Sequence, residues 1–332
     1  LDITGRGPMV VETCRRLSAL ARDEELTLVI AQEHEEETLR LFAGRKVNIV
    51  SEPVGRNTAA CIGLGALYAA GIGAKGPVAF LPADHFILDT EAFLQTLHQA
   101  ATSAESGAIV TIGIVPNRPE TGYGYIHRAQ GNMAAGGAAA YRVAAFVEKP
   151  DLQTAIQYLE QGDYYWNAGI FVATPDTILT EIKKHLPALY QGLQQLESKI
   201  GAADFAGALA SVYGQLESVS FDYGIMEKTG NPLLVVPCEC GWSDVGSWAS
   251  LYDLRKAEQD GCGNLAEGDA LLVDCEGSYV SSRGGKLVAC LGLKHCLIVD
   301  TPDALLVADL ERSQEVRKIT EGLHKAGHGE LL

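Results

Sequence analysis

Positive charge is scarce in this sequence: 26 lysines and arginines stand against 42 aspartates and glutamates in 332 residues, a formal net charge of −16. Binding to a nucleic-acid backbone or an anionic membrane needs a basic stripe, and this balance argues against one. It still permits a small phosphorylated substrate, given a metal ion and a few local cations. Long apolar runs are lacking too: none approaches the roughly 20 residues of a membrane span, and no charged, then apolar, then small-residue leader opens the chain at Leu1. Cysteine pairs at zinc spacing are also missing. Cys238-Glu-Cys240 is the nearest approach, with no second pair and no neighbouring histidine, so no structural zinc is expected. Cys14, Cys61, Cys238, Cys240, Cys262, Cys275, Cys290 and Cys296 lie mostly in apolar runs, which reads as reduced thiols of a cytoplasmic protein.

Nucleotide signatures fail in turn. Gly71-Ile-Gly-Ala-Lys-Gly76 has dinucleotide spacing, but it follows a helical pattern and precedes a strand, the reverse of what a helix N-terminus facing a pyrophosphate requires. There is no Gly-x4-Gly-Lys-Ser/Thr loop and no Asp-x-Asp motif. What is present is the make-up of a folded protein, 47% hydrophobic and 20% charged. The length suits one large domain or two ordinary ones, with a core that needs no disulfides.

Apolar runs at Thr27–Ala31, Val47–Val50, Val78–Leu81 and Ala108–Val115 read as strands. They alternate with helical patterns at Val10–Leu20, Glu33–Phe42, Asn57–Ala70 and Thr90–Ala104. Continuous apolar strands between helices predict βαβ units around a mainly parallel sheet covered on both faces. Strands follow at Tyr123–Arg128 and Tyr141–Val147 around a Gly/Ala-rich connection, Gly131–Ala140. After them come a helix at Leu152–Leu159, an apolar segment at Gly169–Ala173, helices within Pro175–Leu216 and a strand at Leu233–Val236. Beyond Asp260-Gly-Cys-Gly263, short apolar triplets recur from Leu271 to Val307 with starts 8, 8, 10 and 8 residues apart. Such even spacing predicts a small all-β unit, either a meander or a few solenoid coils. A helix at Arg312–Leu323 closes the chain. The expected division is 1–260 and 261–332.

Several motifs carry chemistry alongside a structural alternative. Leu81-Pro-Ala-Asp84-His85 ends an apolar strand, where open α/β sheets bind ligands. Asp84 either caps the next helix or holds magnesium, and Asp89 or Thr90 is better placed for the cap. In Trp242-Ser-Asp244-Val-Gly-Ser-Trp248, Asp244 either caps a helix starting near Val245, the reading sequence slightly favours, or supplies a second carboxylate. Glu148-Lys149-Pro150 ends a strand and is either a solvated pair or a charged contact for a ligand. Asn167 reads as a turn residue ahead of an apolar strand or as a polar contact. Gly122 and Gly124 mark either a strand bend or a close approach of ligand to backbone. Arg56, Asn57 and Thr58 join a strand to a helix, where the latter two cap it or all three face a nucleotide.

Each motif alone is weak, but their order is specific. Glu52-Pro-Val-Gly-Arg-Asn-Thr58, Leu81-Pro-Ala-Asp-His85, Thr121-Gly-Tyr-Gly-Tyr-Ile126, Phe146-Val-Glu-Lys-Pro150, Trp166-Asn-Ala-Gly-Ile-Phe171, Phe221-Asp-Tyr-Gly-Ile-Met-Glu227 and Trp242-Ser-Asp-Val-Gly-Ser-Trp248 together resemble the mannose-1-phosphate guanylyltransferase family over nearly the whole chain. The resemblance implies an α/β nucleotide-diphospho-sugar transferase fold, Rossmann-like, with a small C-terminal left-handed β-helix. It implies transfer of GMP from GTP to mannose 1-phosphate, giving GDP-mannose and pyrophosphate. By matching position it implies Asp84 and Asp244 as Mg2+ ligands and Lys149 beside the sugar 1-phosphate. Glu148 and Asn167 would meet sugar hydroxyls, with the Gly122 and Gly124 backbone against the sugar. Arg56, Asn57 and Thr58 would lie beside the guanine nucleotide, and Asp222 nearby without an assigned role. No nucleic acid or membrane partner is implied, and a homodimer stays open.

One departure stands out. Members of the family open with Gly-Gly-x-Gly-Thr-Arg-Leu-x-Pro and a Pro-Lys pair, whereas this sequence begins just after that point. The expectation is an active unit longer by one strand and one loop, about 20–30 residues. Two alternatives remain at this stage: a non-catalytic sugar-nucleotide-binding subunit, or a nucleotidyltransferase for another sugar 1-phosphate.

Overall fold

The computed structural model describes residues 7–133, 140–147 and 149–328, and these divide after Trp242 into two compact units. Most of the turn-like start and of the Gly131–Ala140 connection, and Glu148, lie outside the described residues. The first unit contains helices α1 (Met9–Arg16), α2 (Glu35–Leu41), α3 (Asn57–Gly71), α4 (Thr90–Ala104), α5 (Leu152–Gln161), α6 (Pro175–His185), α7 (Pro187–Glu197) and α8 (Phe205–Tyr213). Its strands are β1 (Thr27–Ala31), β2 (Asn48–Glu52), β3 (Val78–Phe80), β4 (Phe86–Ile87), β5 (Ile109–Ile114), β6 (Tyr125–Met133), β7 (Tyr141–Val147), β8 (Tyr164–Ala173), β9 (Leu233–Cys238) and β10 (Trp242–Ser243), the last reaching the division.

The central sheet has the order β3-β8-β5-β9-β7-β6, with β6 also pairing β8. Here the mainly parallel expectation needs correction. β5 and β9 pair in parallel, as do β1 and β2, but the other pairings among the described strands of this sheet are antiparallel. β3 and β5 do run in the same direction, yet β8 inserts between them in the opposite sense. An apolar run records that a strand is buried on both faces and carries no record of its direction. The α/β class itself stands.

β8 is also longer than its apolar segment suggests, starting at Tyr164. Its register against β5 jumps between the pairs Thr111–Phe171 and Gly113–Asn167. Gly169 absorbs that irregularity at φ +63°, a left-handed conformation that costs glycine little. Asn167 therefore lies inside a strand and not in a turn before one.

The helices follow their patterns with small shifts. α1 stops at Arg16 and continues as a 3₁₀ turn, Leu17–Ala19. α4 is capped by Asp89, whose carboxylate accepts the Ala92 N–H at 3.0 Å. α3 is rich in small residues because it lies tightly against α6 and α7: a Cβ on Gly63 would stand 2.8 Å from Leu193 Cδ1 and 2.9 Å from Ile182 Cδ1. β5 is buried along its whole length between this helical layer and a second core formed around Phe93, Leu97, Trp166 and Val236.

The second unit begins with α9 (Trp248–Leu254) and continues with β11 (Leu265–Glu267), β12 (Ala270–Val273), β13 (Tyr279–Ser282), β14 (Val288–Leu291), β15 (Cys296–Asp300), β16 (Leu305–Asp309) and α10 (Arg317–Ala326). Tyr279 pairs in parallel with Leu297 and Ala270 with Val288, so the chain returns to the same place every 18 residues. That is a solenoid coil, and the antiparallel pair β15–β16 ends it. The closing helix expected from Arg312 opens as a 3₁₀ stretch, Leu310–Val316, before α10. The packing division at Trp242 precedes the boundary read near Asp260. The reason is α9: Trp248 meets the Tyr279 ring edge-on at 5.7 Å, and the Ala249 N–H donates to Ser313 Oγ at 3.1 Å.

Candidate active site

The carboxyl ends of β3, β5 and β9 and the first half of β8 meet at one edge of the sheet, the position where open α/β sheets take ligands. Asn167 stands there. Its N–H donates to the Gly124 carbonyl at 2.8 Å, its Nδ2 donates to Asp222 Oδ1 at 2.7 Å, and its Oδ1 accepts the Gly169 N–H at 3.0 Å. Asp222 opens a π-helical turn, Asp222–Met226, in which the Glu227 N–H reaches back to the Asp222 carbonyl at 3.0 Å. One residue earlier, the Phe221 N–H donates to Thr58 Oγ1 at 2.8 Å, and the Ala59 N–H donates to the Val219 carbonyl at 3.1 Å. Gly124, Asn167, Asp222 and Thr58 thus belong to one continuous hydrogen-bonded path across four sequence motifs.

Other expected residues border this path. Gly122 lies two residues before Gly124, and its N–H donates to Glu120 Oε1 at 3.0 Å. Val147 pairs with Tyr125, so Lys149 follows at the same strand end as Gly124; it is exposed and takes φ +42°. Glu148, between them, lies outside the described residues. Pro82 leads from β3 toward Asp84 and comes within 3.9 Å of the position a Gly169 Cβ would occupy. Asp84 itself is exposed. The loop around it is held from α1, where Thr13 Oγ1 donates to the Ala83 carbonyl at 3.2 Å and Arg16 Nη2 donates to the His85 carbonyl at 3.4 Å.

Two structural alternatives are now resolved against the carboxylates being helix caps. Asp89 performs the task at α4, leaving Asp84 without it. In the second unit, the cap of α9 is Ser247, whose Oγ accepts the Ser250 N–H at 3.1 Å. The helix starts at Trp248 and not near Val245, so the favoured reading of Asp244 as its cap is corrected. Asp244 Oδ1 instead accepts the Gly246 N–H at 3.0 Å across a tight turn, with Val245 at φ +51°. Both are hard oxygen donors of the kind magnesium takes.

Arg56 is engaged with the backbone of another helix. Its Nε donates to the Tyr213 carbonyl at 2.9 Å and its Nη2 to the Gly214 carbonyl at 2.6 Å, so it ties the α3 entry to the end of α8. Asn57, at φ +63°, accepts the following Thr58 N–H at 2.8 Å, and neither residue caps α3 in the usual sense. Glu52 lies at the end of β2 with Oε1 buried and no hydrogen-bond partner among the described residues. Burial pushes its carboxyl above the ordinary carboxylate range, and burial followed by the nearby Glu52 pushes the Cys61 thiol up to about 12.

Sequence reasoning named His85 and Trp242 in motifs without giving either a task. Trp242 Nε1 donates to His85 Nδ1 at 3.1 Å, and the rings meet edge-on at 5.2 Å. Tyr123 in turn meets both Trp166 and Trp242 edge-on, at 5.2 and 5.3 Å. The pairing of a tryptophan with a histidine 157 residues away has no local signal in sequence.

A family model described as nucleotidyl transferase matches residues 1–261. The chain belongs to the nucleotidyl transferase family. A second model, MannoseP isomerase/GMP-like beta-helix domain, matches residues 268–323 and covers the solenoid coils. This nucleotidyl transferase is 40% identical to xanthan biosynthesis protein XanB of Xanthomonas campestris pv. campestris, over 99% of its own length and 69% of that protein's. It is 39% identical to a mannose-1-phosphate guanylyltransferase of Escherichia coli, over 97% of its length and 68% of the relative's. Among solved structures it is similar to mannose-1-phosphate geranyltransferase from Thermus thermophilus. That match has a TM-score of 0.84 and 33% identity, and it covers 97% of this chain and 90% of the other. No described helix of the nucleotidyl transferase is long and apolar enough to cross a membrane.

Proposed function

We propose that this nucleotidyl transferase transfers GMP from GTP to mannose 1-phosphate, forming GDP-mannose and releasing pyrophosphate. The observation that carries this reading is the near full-length likeness to a mannose-1-phosphate guanylyltransferase, at 39% identity over 97% of the chain. The hydrogen-bonded path from Gly124 through Asn167 and Asp222 supports it, because it joins motifs far apart in sequence at a ligand-binding sheet edge. The alternative of a non-catalytic subunit has no such specific observation in its favour. The functional division stays as 1–260 for catalysis and 261–332 for the β-helix-like domain.

In the proposed reaction a mannose 1-phosphate oxygen attacks the α-phosphorus of GTP in line. The new P–O bond forms as the bond to the leaving pyrophosphate breaks. The nucleophile is already an anion near neutral pH, so the protein's part is positioning and charge neutralisation. Lys149 neutralises the sugar 1-phosphate. Asn167 and Glu148 meet sugar hydroxyls, and the Gly122 and Gly124 backbone lies against the sugar. Asp222 acts through Asn167 by fixing its amide. Asn57 and Thr58 lie beside the guanine nucleotide, with Arg56 holding their loop to α8. Asp84 and Asp244 are the proposed ligands of Mg2+, which when bound offsets phosphate charge. The free cysteines and the need for GTP fit a cytoplasmic setting.

Pyrophosphate release from GTP and mannose 1-phosphate, measured with the full-length protein, tests the reading. Chelation should abolish turnover and added magnesium should restore it. Asp84→Asn and Asp244→Asn should each lower kcat by at least about 100-fold, since loss of a metal ligand removes several kcal/mol of transition-state stabilisation. A rate within about threefold of wild type in either variant overturns that ligand's assignment. A panel of triphosphates and sugar 1-phosphates compared by kcat/KM decides the substrate pair.

A further inference from the structure

Beside the Asp84 loop, between α1, β4 and the start of α4, lies a cavity of about 360 Å³ that the proposed reaction does not use. That volume is enough for a small phosphorylated molecule. The chemistry of its lining is uneven. Phe86, Ile87 and Leu94 supply an apolar side, whereas Arg16, His85 and Ser18 supply polar groups. Among the described residues, the only carboxylate in the lining is Glu12, which is already paired with Arg15. The lining therefore carries a net positive charge in a protein of −16.

Arg16 is the decisive residue. A guanidinium offers five N–H donors, yet among the described residues its one hydrogen bond is the 3.4 Å contact to the His85 carbonyl. It is half-buried and stacked over the Phe93 ring at 5.8 Å. Burial, the largest influence on it, pushes it below its ordinary value, outweighing the opposing pull of Cys240 and Glu12, and among the described residues no carboxylate is hydrogen-bonded to it. His85 lines the same cavity, its Nδ1 accepting from Trp242 Nε1 at 3.1 Å.

A desolvated guanidinium with donors to spare, in a positive cavity of this size, is what recognition of a phosphate requires. We propose that this cavity is an anion-binding site for a small phosphomonoester, the phosphate meeting Arg16 and the apolar body lying against Phe86, Ile87 and Leu94. None of its lining residues is among those proposed to hold GTP or mannose 1-phosphate, and the inference does not depend on their assignment.

The test is titration with phenyl phosphate and with inorganic phosphate, followed by calorimetry or phosphorus NMR. It uses the full-length protein in chelator with no nucleotide present. Phenyl phosphate should bind with Kd of about 0.1–1 mM, and inorganic phosphate more weakly because it lacks the apolar body. Arg16→Met, which keeps the stem over Phe93, should weaken phenyl phosphate at least about tenfold. Ser18→Glu places a carboxylate at an exposed position of the rim and should do the same whether or not the Arg16 variant folds. Lys149→Met, which strips the proposed sugar-phosphate cation, should leave the affinity unchanged. No binding up to about 10 mM overturns the proposal. So does unaltered affinity in Ser18→Glu, or loss of binding in Lys149→Met alone, which would assign the anion to the catalytic site.

Discussion

At Asn167 a single residue serves three partners at once: the Gly124 carbonyl, the Asp222 carboxylate and the Gly169 N–H. Asn167→Ala removes the amide donor to Asp222 and the acceptor for the Gly169 N–H, and should cost about 1–3 kcal/mol in urea unfolding. It should also raise KM for mannose 1-phosphate more than it lowers kcat. Asn167→Asp, though nearly isosteric, should be worse than alanine at neutral pH, because it sets a second carboxylate where the donor now stands 2.7 Å from Asp222. An aspartate variant with unimpaired stability would contradict that geometry. Gly169→Ala, at φ +63°, should cost a further 1–2 kcal/mol or so through backbone strain alone. The motifs of the sequence named residues that the fold sets at strand ends on one sheet edge: Asn167 in β8, Asp84 after β3 and Lys149 after β7. The sequence left Asn167 open between a turn residue and a polar contact, and it did not reveal that Arg56 donates to the Tyr213 and Gly214 carbonyls. Both gaps have the same physical source: a bulge and a helix-end contact arise from chain segments that meet only after folding.

Strands and helices were read well where periodicity alone decides them, as at α3, α4 and β5, whose ends fall within one or two residues of the pattern. Direction was not readable, because β8 pairs antiparallel on both sides without any change in its apolar character. The close packing of β8 and β9 against β5 has a measurable consequence at Gly113. An added Cβ there would stand 2.6 Å from Val235 Cγ2 and 2.8 Å from Tyr165 Cβ, so Gly113→Ala should destabilise the first unit by about 1–3 kcal/mol in thermal or urea unfolding. In the second unit, Glu267 joins α9 to the coils. It pairs with Arg255 and accepts from Tyr279 Oη at 3.0 Å and Ser281 Oγ at 2.7 Å. Burial acts to raise its carboxyl, but these bonds prevail and hold it below the ordinary value. Its stabilising contribution is thus complete above the unfolded value of about 4.3 and is lost as pH falls through the lower folded value. Melting of wild type and Glu267→Gln should differ most near pH 7 and converge in strong acid. A difference that widens with acidity would refute the sign.

For the molecule as a whole, the alternation of strands and helices gave the α/β class, and sequence texture set a division near Asp260, whereas packing groups α9 with the coils. The same contrast between composition and placement governs the thiols. All eight cysteines are free, but only Cys262 is exposed, while Cys61 is held as a thiol by burial. A thiol reagent at pH 8 should therefore modify Cys262 first and reach Cys61 only on unfolding; early labelling of Cys61 would contradict the packing around β2. The three tryptophans give the two units separate optical signatures. Trp166 and Trp242, both buried, belong to the first unit, and Trp248 belongs to the second. Trp248→Phe would silence one unit's intrinsic emission and leave the other's intact. Subtracting its fluorescence from that of the native protein then isolates the glow of the coils, so that each half's unfolding can be followed by ultraviolet light without any label.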